Sequence, residues 1–174
     1  MPKFAYYNRL TKRQQAIYRQ SDAIDTVPVP QPQALAPALQ KLSAVLKAGN
    51  RAQTQETATA IVRALIGRLG ASQAKVKVLS RRPSDDWGEL HGLYDPETVL
   101  ITVWMRTAQR KQTVAFKTFL RTLLHELCHH LDYVHFKLED SFHTEGFYKR
   151  ESSLYKQLLE VMQALPEDGK PAAS

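Results

Sequence analysis

The chain has 174 residues, 43% of them hydrophobic and 24% charged, and a formal net charge of +7. That composition excludes a disordered or low-complexity chain and is long enough for one domain with a buried core. A lone cysteine, Cys128, excludes an internal disulfide framework and a cysteine-rich zinc ribbon.

The opening stretch, MPKFAYYNRLTKRQQ, carries no apolar leader-like run, which points to a cytoplasmic setting. Residues 11–23 read as a short polar helix. VPVPQPQALAP at 27–37 holds four prolines and is expected to run extended. Leu35, Leu39, Leu42 and Leu46 recur at helical spacing and predict a helix over 33–48. Gly49-Asn50 breaks it. A second helix over 52–69 turns Ile61, Leu65, Ile66 and Leu69 inward and stops at Gly70. The period then changes. AKVKVLS (74–80) alternates, GELHGLY (88–94) is a weaker strand, and DPET (95–98) is a turn signal. VLITVWMR (99–106) is apolar on both faces, as a strand covered on one side and sheltered on the other would be. Its apolar run is strand-length, so no membrane span is expected. Segments 88–94 and 99–105 predict a hairpin with 74–80 beside it. A long helix follows from about Thr113 to Val134, then a loop and a last helix over 144–165.

Five of the six histidines fall between residues 123 and 150. HELCH at 125–129 fits H-E-x-x-H. Each helical residue advances about 100°, so His125 and His129 stand one turn apart on one face, about 40° offset. Both imidazoles can then reach one ion. Glu126, about 100° around, can touch a water there without binding the metal. Phe116, Leu120, Leu123, Leu127, Leu131 and Val134 project to the opposite side, which packs. His130 falls nearer that packed side and reads as structural. Cys128 reads as a small buried filler.

A catalytic zinc needs three protein ligands and one open position. His143, fourteen positions after His129 and at the mouth of the last helix, is the preferred third ligand. Asp132, Glu145 and Glu151 are its rivals. Asp132 is better cast as a partner holding His129 or a basic residue. Phe147 would anchor the start of the last helix against the core.

His125-Glu126-x-x-His129, a spacer, then His143-Thr144-Glu145-Gly146-Phe147 resembles the SprT-like zinc metallopeptidases, whose eukaryotic representative is Spartan. The hairpin GELHGLYDPETVLITV resembles that family's lead-in to its active-site helix. The likeness covers about residues 74–160; residues 1–70 match no motif beyond being helical. Phe142, Thr144 and Glu145 stand where the family has glycines and a proline. The resemblance implies an α+β fold, a compact gluzincin-like zincin domain with a small antiparallel sheet or hairpin and an active-site helix. It also implies proteolysis, in some members of proteins attached to DNA. From the order of helix, proline-rich stretch and later elements, residues 1–26 are expected to be an N-terminal helical extension and 27–37 a Pro-rich linker. Residues 38–165 form a single metallopeptidase domain, and 166–174 a flexible tail. Zn²⁺ on His125, His129 and His143 would acidify a water, with Glu126 as general base against a peptide carbonyl.

No second oxyanion donor is identifiable: Tyr133, His135, Tyr148 and Arg150 are near in sequence but read as structural or solvated. His91 could line a substrate cleft, though an exposed strand histidine is the simpler reading, and Tyr94 and Trp104 most simply cover the core. The expected partner is a protein or peptide substrate. The positive charge leaves an association with DNA open, but no run of five like charges occurs, and a soluble basic surface explains the pattern as well. Other readings are a basic nucleic-acid-associated module with a silent metal site, and a regulatory protease for one partner.

Overall fold

A computed structural model describes residues 3–81, 84–85, 88–89, 92–106 and 113–164. Among these the chain is α+β, with five α-helices and a small three-stranded mixed sheet. Helix α1 spans Lys12–Asp22, α2 Ala36–Lys47 and α3 Arg51–Leu69. Strands β1 (Lys75–Arg81), β2 (Ser84–Asp85), β3 (Gly88–Glu89), β4 (Gly92–Asp95) and β5 (Leu100–Arg106) follow. Helices α4 (Phe116–Val134) and α5 (Glu145–Gln163) complete the order. His91 and the 166–174 tail lie outside the described residues. No helix among those described is long and apolar enough to cross a membrane.

Local chemistry accounts for most boundaries. Thr11 and Gln14 form a reciprocal capping box at the start of α1. Asn50 caps α3 by accepting from the Gln53 N–H. Thr144 caps α5 through the Phe147 N–H. Asp95 orders the turn after β4 by accepting from the Glu97 N–H and the Thr98 hydroxyl, both at 2.9 Å.

Of the hairpin expected from GELHGLY and VLITVWMR, the described residues show Gly92 to Asp95 paired antiparallel with Val103 to Leu100. The expectation of an antiparallel sheet is corrected by β1. It lies on the far side of β5 and runs parallel to it, Val76 beside Ile101 and Val78 beside Val103. The order is β1-β5-β4. Alternation in sequence marks a strand but carries no direction, so this pairing had no local signal.

Ile101, Val103 and Met105 of β5 join Val76 and Val78 in one apolar core with side chains from α2 to α5. The other face, Thr102 and Trp104, is also largely buried. Helix α3 packs on β1, while α4 packs on β4 and β5 and holds α5 on its other side. The proline-rich stretch joins this body: Val27, Val29 and Leu35 are buried in the same core. Its backbone bonds to α5, with the Val29 N–H donating to Gln157 Oε1 at 2.9 Å and Gln157 Nε2 to the Val27 carbonyl at 2.8 Å. A 3-10 turn over Pro32–Leu35 leads into α2. Helix α1, polar as expected, still buries Ile17, Tyr18 and Ser21, and docks on α5.

Candidate metal centre

Helix α4 is amphipathic in the expected sense. Leu120, Leu123, Leu127 and Leu131 are fully buried, and His125 and His129 stand on the other side, facing a cleft of about 360 Å³. Glu126 lines the same cleft, opposite Gly92, Leu93 and Tyr94 of β4. The segment before α5 brings His143 to it. His143 Nε2 lies 3.2 Å from His125 Nε2 and 3.0 Å from His129 Nε2.

The partners behind the rings decide what those nitrogens can do. His125 Nδ1 lies 2.7 Å from Glu151 Oε1, a carboxylate that only accepts, so Nδ1 carries a proton, and in the neutral ring the lone pair is then on Nε2. Glu151 is fixed in turn by Arg121 at 3.1 Å. His129 Nδ1 lies 2.7 Å from Ser141 Oγ. The Ser141 hydroxyl donates to Asp132 Oδ2, also at 2.7 Å, so its oxygen accepts from His129 Nδ1–H. His129 Nε2 therefore presents a lone pair too. His143 could donate one proton to one of these nitrogens but not satisfy both. Three ring nitrogens aimed at one point fit a shared cation better than hydrogen bonds among themselves. His125, His129 and His143 could thus hold a metal ion.

Protonation fits ligand duty. Burial, reinforced by His125, His143 and Arg150, pulls His129 down to about 3, and His143 is lowered by partial burial and by His125. Both are neutral at pH 7, the ligating form. Burial pushes Glu126 up to about 7, with His125 opposing the rise and Glu151 adding to it. A carboxylate near neutrality can both take and return a proton.

The packing beneath the site is aromatic. Phe147 is fully buried, and its ring lies 5.0 Å from His125, 4.7 Å from His129 and 5.1 Å from His143. It floors all three imidazoles, beyond anchoring its own helix. Asp132 lies behind the site: completely buried, it meets Ser141 and Arg150, the latter at 3.1 Å. Burial pushes Asp132 up to about 6 while Arg150 and Ser141 pull it back, so it is still the carboxylate at neutral pH. Glu151 serves as partner to His125, and Glu145 pairs with Lys149 at 3.2 Å.

His130 is fully buried. Its Nε2 donates to the Ser72 carbonyl at 2.7 Å, so Nδ1 accepts from the Tyr94 hydroxyl at 2.8 Å. Tyr94 thus packs on the core and also secures α4 to β4. Cys128 is buried, and burial raises its thiol well above the usual range. Tyr133 donates to Asp140 at 3.2 Å, His135 follows α4 with its ring against Phe136, and Tyr148 stacks on His143 at 5.7 Å.

Two contributors, Ser141 and Gly92, escaped sequence reasoning, and Arg150, read there as structural or solvated, was not paired with Asp132. Ser141 is the link between His129 and Asp132, yet a serine in a loop gives no signal. Arg150 carries the countercharge to Asp132 from a helix eighteen positions away. Gly92 leaves room for Glu126: a Cβ there would stand 2.8 Å from Glu126 Oε1, 2.9 Å from its Cγ and 2.9 Å from Thr122 Cγ2. The sole hint was a glycine inside an otherwise strand-like run, a mark of close approach. Protein-family models, curated proteins and solved structures gave no match to this chain.

Proposed function

We propose that this chain is a zinc-dependent metallopeptidase of the SprT-like, H-E-x-x-H type, with His125, His129 and His143 as ligands and Glu126 as general base. The observation that carries the reading is the convergence of three Nε2 atoms beside Glu126. Tetrahedral zinc with bonds of about 2.0–2.1 Å sets its nitrogen ligands about 3.3 Å apart, close to the 3.0 and 3.2 Å separations here. Three neutral imidazoles leave the ion its full charge.

Zinc, when bound, supplies the Lewis acidity that acidifies water and polarises a peptide carbonyl. Glu126 accepts the proton of the attacking water and then delivers it to the departing amine. Glu151 and Ser141 keep His125 and His129 in the Nδ1–H tautomer. Among the described strands β4 has β5 as its single neighbour, and it borders the cleft. An extended peptide can lie along it through backbone hydrogen bonds, which favours unfolded segments over folded ones.

The test is zinc content by elemental analysis, followed by digestion of an unfolded protein substrate. Wild type should hold one zinc per chain and cleave. Glu126→Gln should keep the zinc and lose at least 100-fold in turnover. Wild-type turnover in Glu126→Gln would sink the assignment of the base, and a zinc-free wild type would sink the whole reading.

A further inference from the structure

The third histidine sits on neither helix. His125 and His129 are held by the backbone ladder of α4, but His143 precedes α5 by two residues. Its backbone is secured from the other end of the chain. The Tyr6 hydroxyl donates to the His143 carbonyl at 2.6 Å. The Tyr18 ring lies 6.4 Å from that of Phe142. Ser21 Oγ and Thr144 Oγ1 are 3.1 Å apart, and both residues are completely buried. The Gly146 N–H donates to Asp22 Oδ1 at 3.0 Å.

The same junction reaches the second ligand. Arg150, fully buried, donates to the carbonyls of Ser21 and Ile24 and also to Asp132, which holds Ser141 and through it His129. The fit is close enough to require glycine at 146. A Cβ there would come 2.6 Å from the Asp22 carbonyl oxygen and 2.7 Å from that of Ser21.

We propose that residues 4–24 form a clamp that positions the third metal ligand, with Tyr6, Ser21 and Asp22 as its positioning residues. The inference rests on the metal-binding reading and adds that the site is assembled from both ends of the chain. The physical basis is preorganisation. A ligand on an unheld segment must be ordered at the moment of binding, and affinity falls by that cost. Outer partners of metal ligands typically contribute 10–100-fold in affinity.

The test measures zinc affinity of the full chain by competition with a chromophoric chelator, together with the visible spectrum of the cobalt(II) form. Tyr6→Phe combined with Asp22→Ala should weaken zinc binding at least tenfold and alter the cobalt bands, at a temperature where the metal-free chain stays folded by circular dichroism. Gly146→Ala, which drives the α1 terminus away from α5, should do the same. Asn50→Ala removes the cap of the remote helix α3 and should lower thermal stability while leaving zinc affinity unchanged. Wild-type affinity in both clamp variants would overturn the clamp alone. An equal loss in Asn50→Ala would overturn it too, since affinity would then follow general stability. A wild-type chain that binds no zinc would overturn the metal reading itself, and the clamp with it.

Discussion

Ser141→Ala separates metal affinity from fold stability at a single oxygen. Ser141 Oγ accepts from His129 Nδ1–H at 2.7 Å and donates to Asp132 Oδ2 at 2.7 Å. Removing it leaves the His129 N–H without its acceptor in a part-buried position. An orphaned group of that kind costs about 1–3 kcal/mol. It also frees the ring to turn or to change tautomer, either of which withdraws the Nε2 lone pair. At about 1.4 kcal/mol per decade, that cost corresponds to a zinc affinity roughly 10–100-fold weaker. In the metal-free chain the freed ring can turn to another partner, so the cost falls on zinc binding; Asp132 keeps Arg150, the buried ion pair survives, and urea unfolding of the metal-free chain should lose at most about 1 kcal/mol. Asp132→Asn should act chiefly on the fold. It strips the carboxylate from a completely buried arginine, and the fold should lose about 3–5 kcal/mol. Competition titration and urea denaturation of the two variants test the division. Wild-type zinc affinity in Ser141→Ala would refute the claim that this hydroxyl holds His129.

Two further outcomes follow from the same geometry. Gly92→Ala puts a methyl group against Glu126 and Thr122, so the carboxylate must move. Turnover should fall about 100-fold, the usual penalty for a displacement near 1 Å, with zinc content intact; unchanged kcat/KM would show that Glu126 does not need this space. Chelation should lower the melting temperature, because zinc at 100 times its Kd adds about 2.7 kcal/mol by mass action, worth roughly 2–4 °C per kcal/mol at this size. His143→Ala should erase most of that difference in differential scanning calorimetry, and an undiminished shift would remove His143 from the ligand set.

Where the sequence was legible, the reason was periodicity. The leucines of α2 and α4 and the alternation in β1 each report one face of one element, and Leu39, Leu42, Leu120, Leu123 and Leu127 are all fully buried. H-E-x-x-H was legible because four residues make about one helical turn, which fixes the relation of His125 to His129 whatever surrounds them. Parallel pairing of β1 with β5 was not, since strand direction depends on the path of the chain between them. Nor was the buried body around the proline-rich stretch: prolines announce an extended backbone but say nothing of what Val27 and Val29 will meet.

The spacing of residues along the chain by itself determined two imidazoles on one helix face with a carboxylate at their flank, because helix geometry is local and repeats every turn. Everything that links positions far apart was decided by tertiary structure. His143 drawn to within 3.0 Å of His129, Glu151 behind His125, Ser141 and Arg150 around Asp132, and Tyr6 on the His143 carbonyl each join residues 9 to 137 positions apart. Such contacts carry no local signature. They exist only because burying one apolar core brings α1, α4, α5 and β4 to the same place.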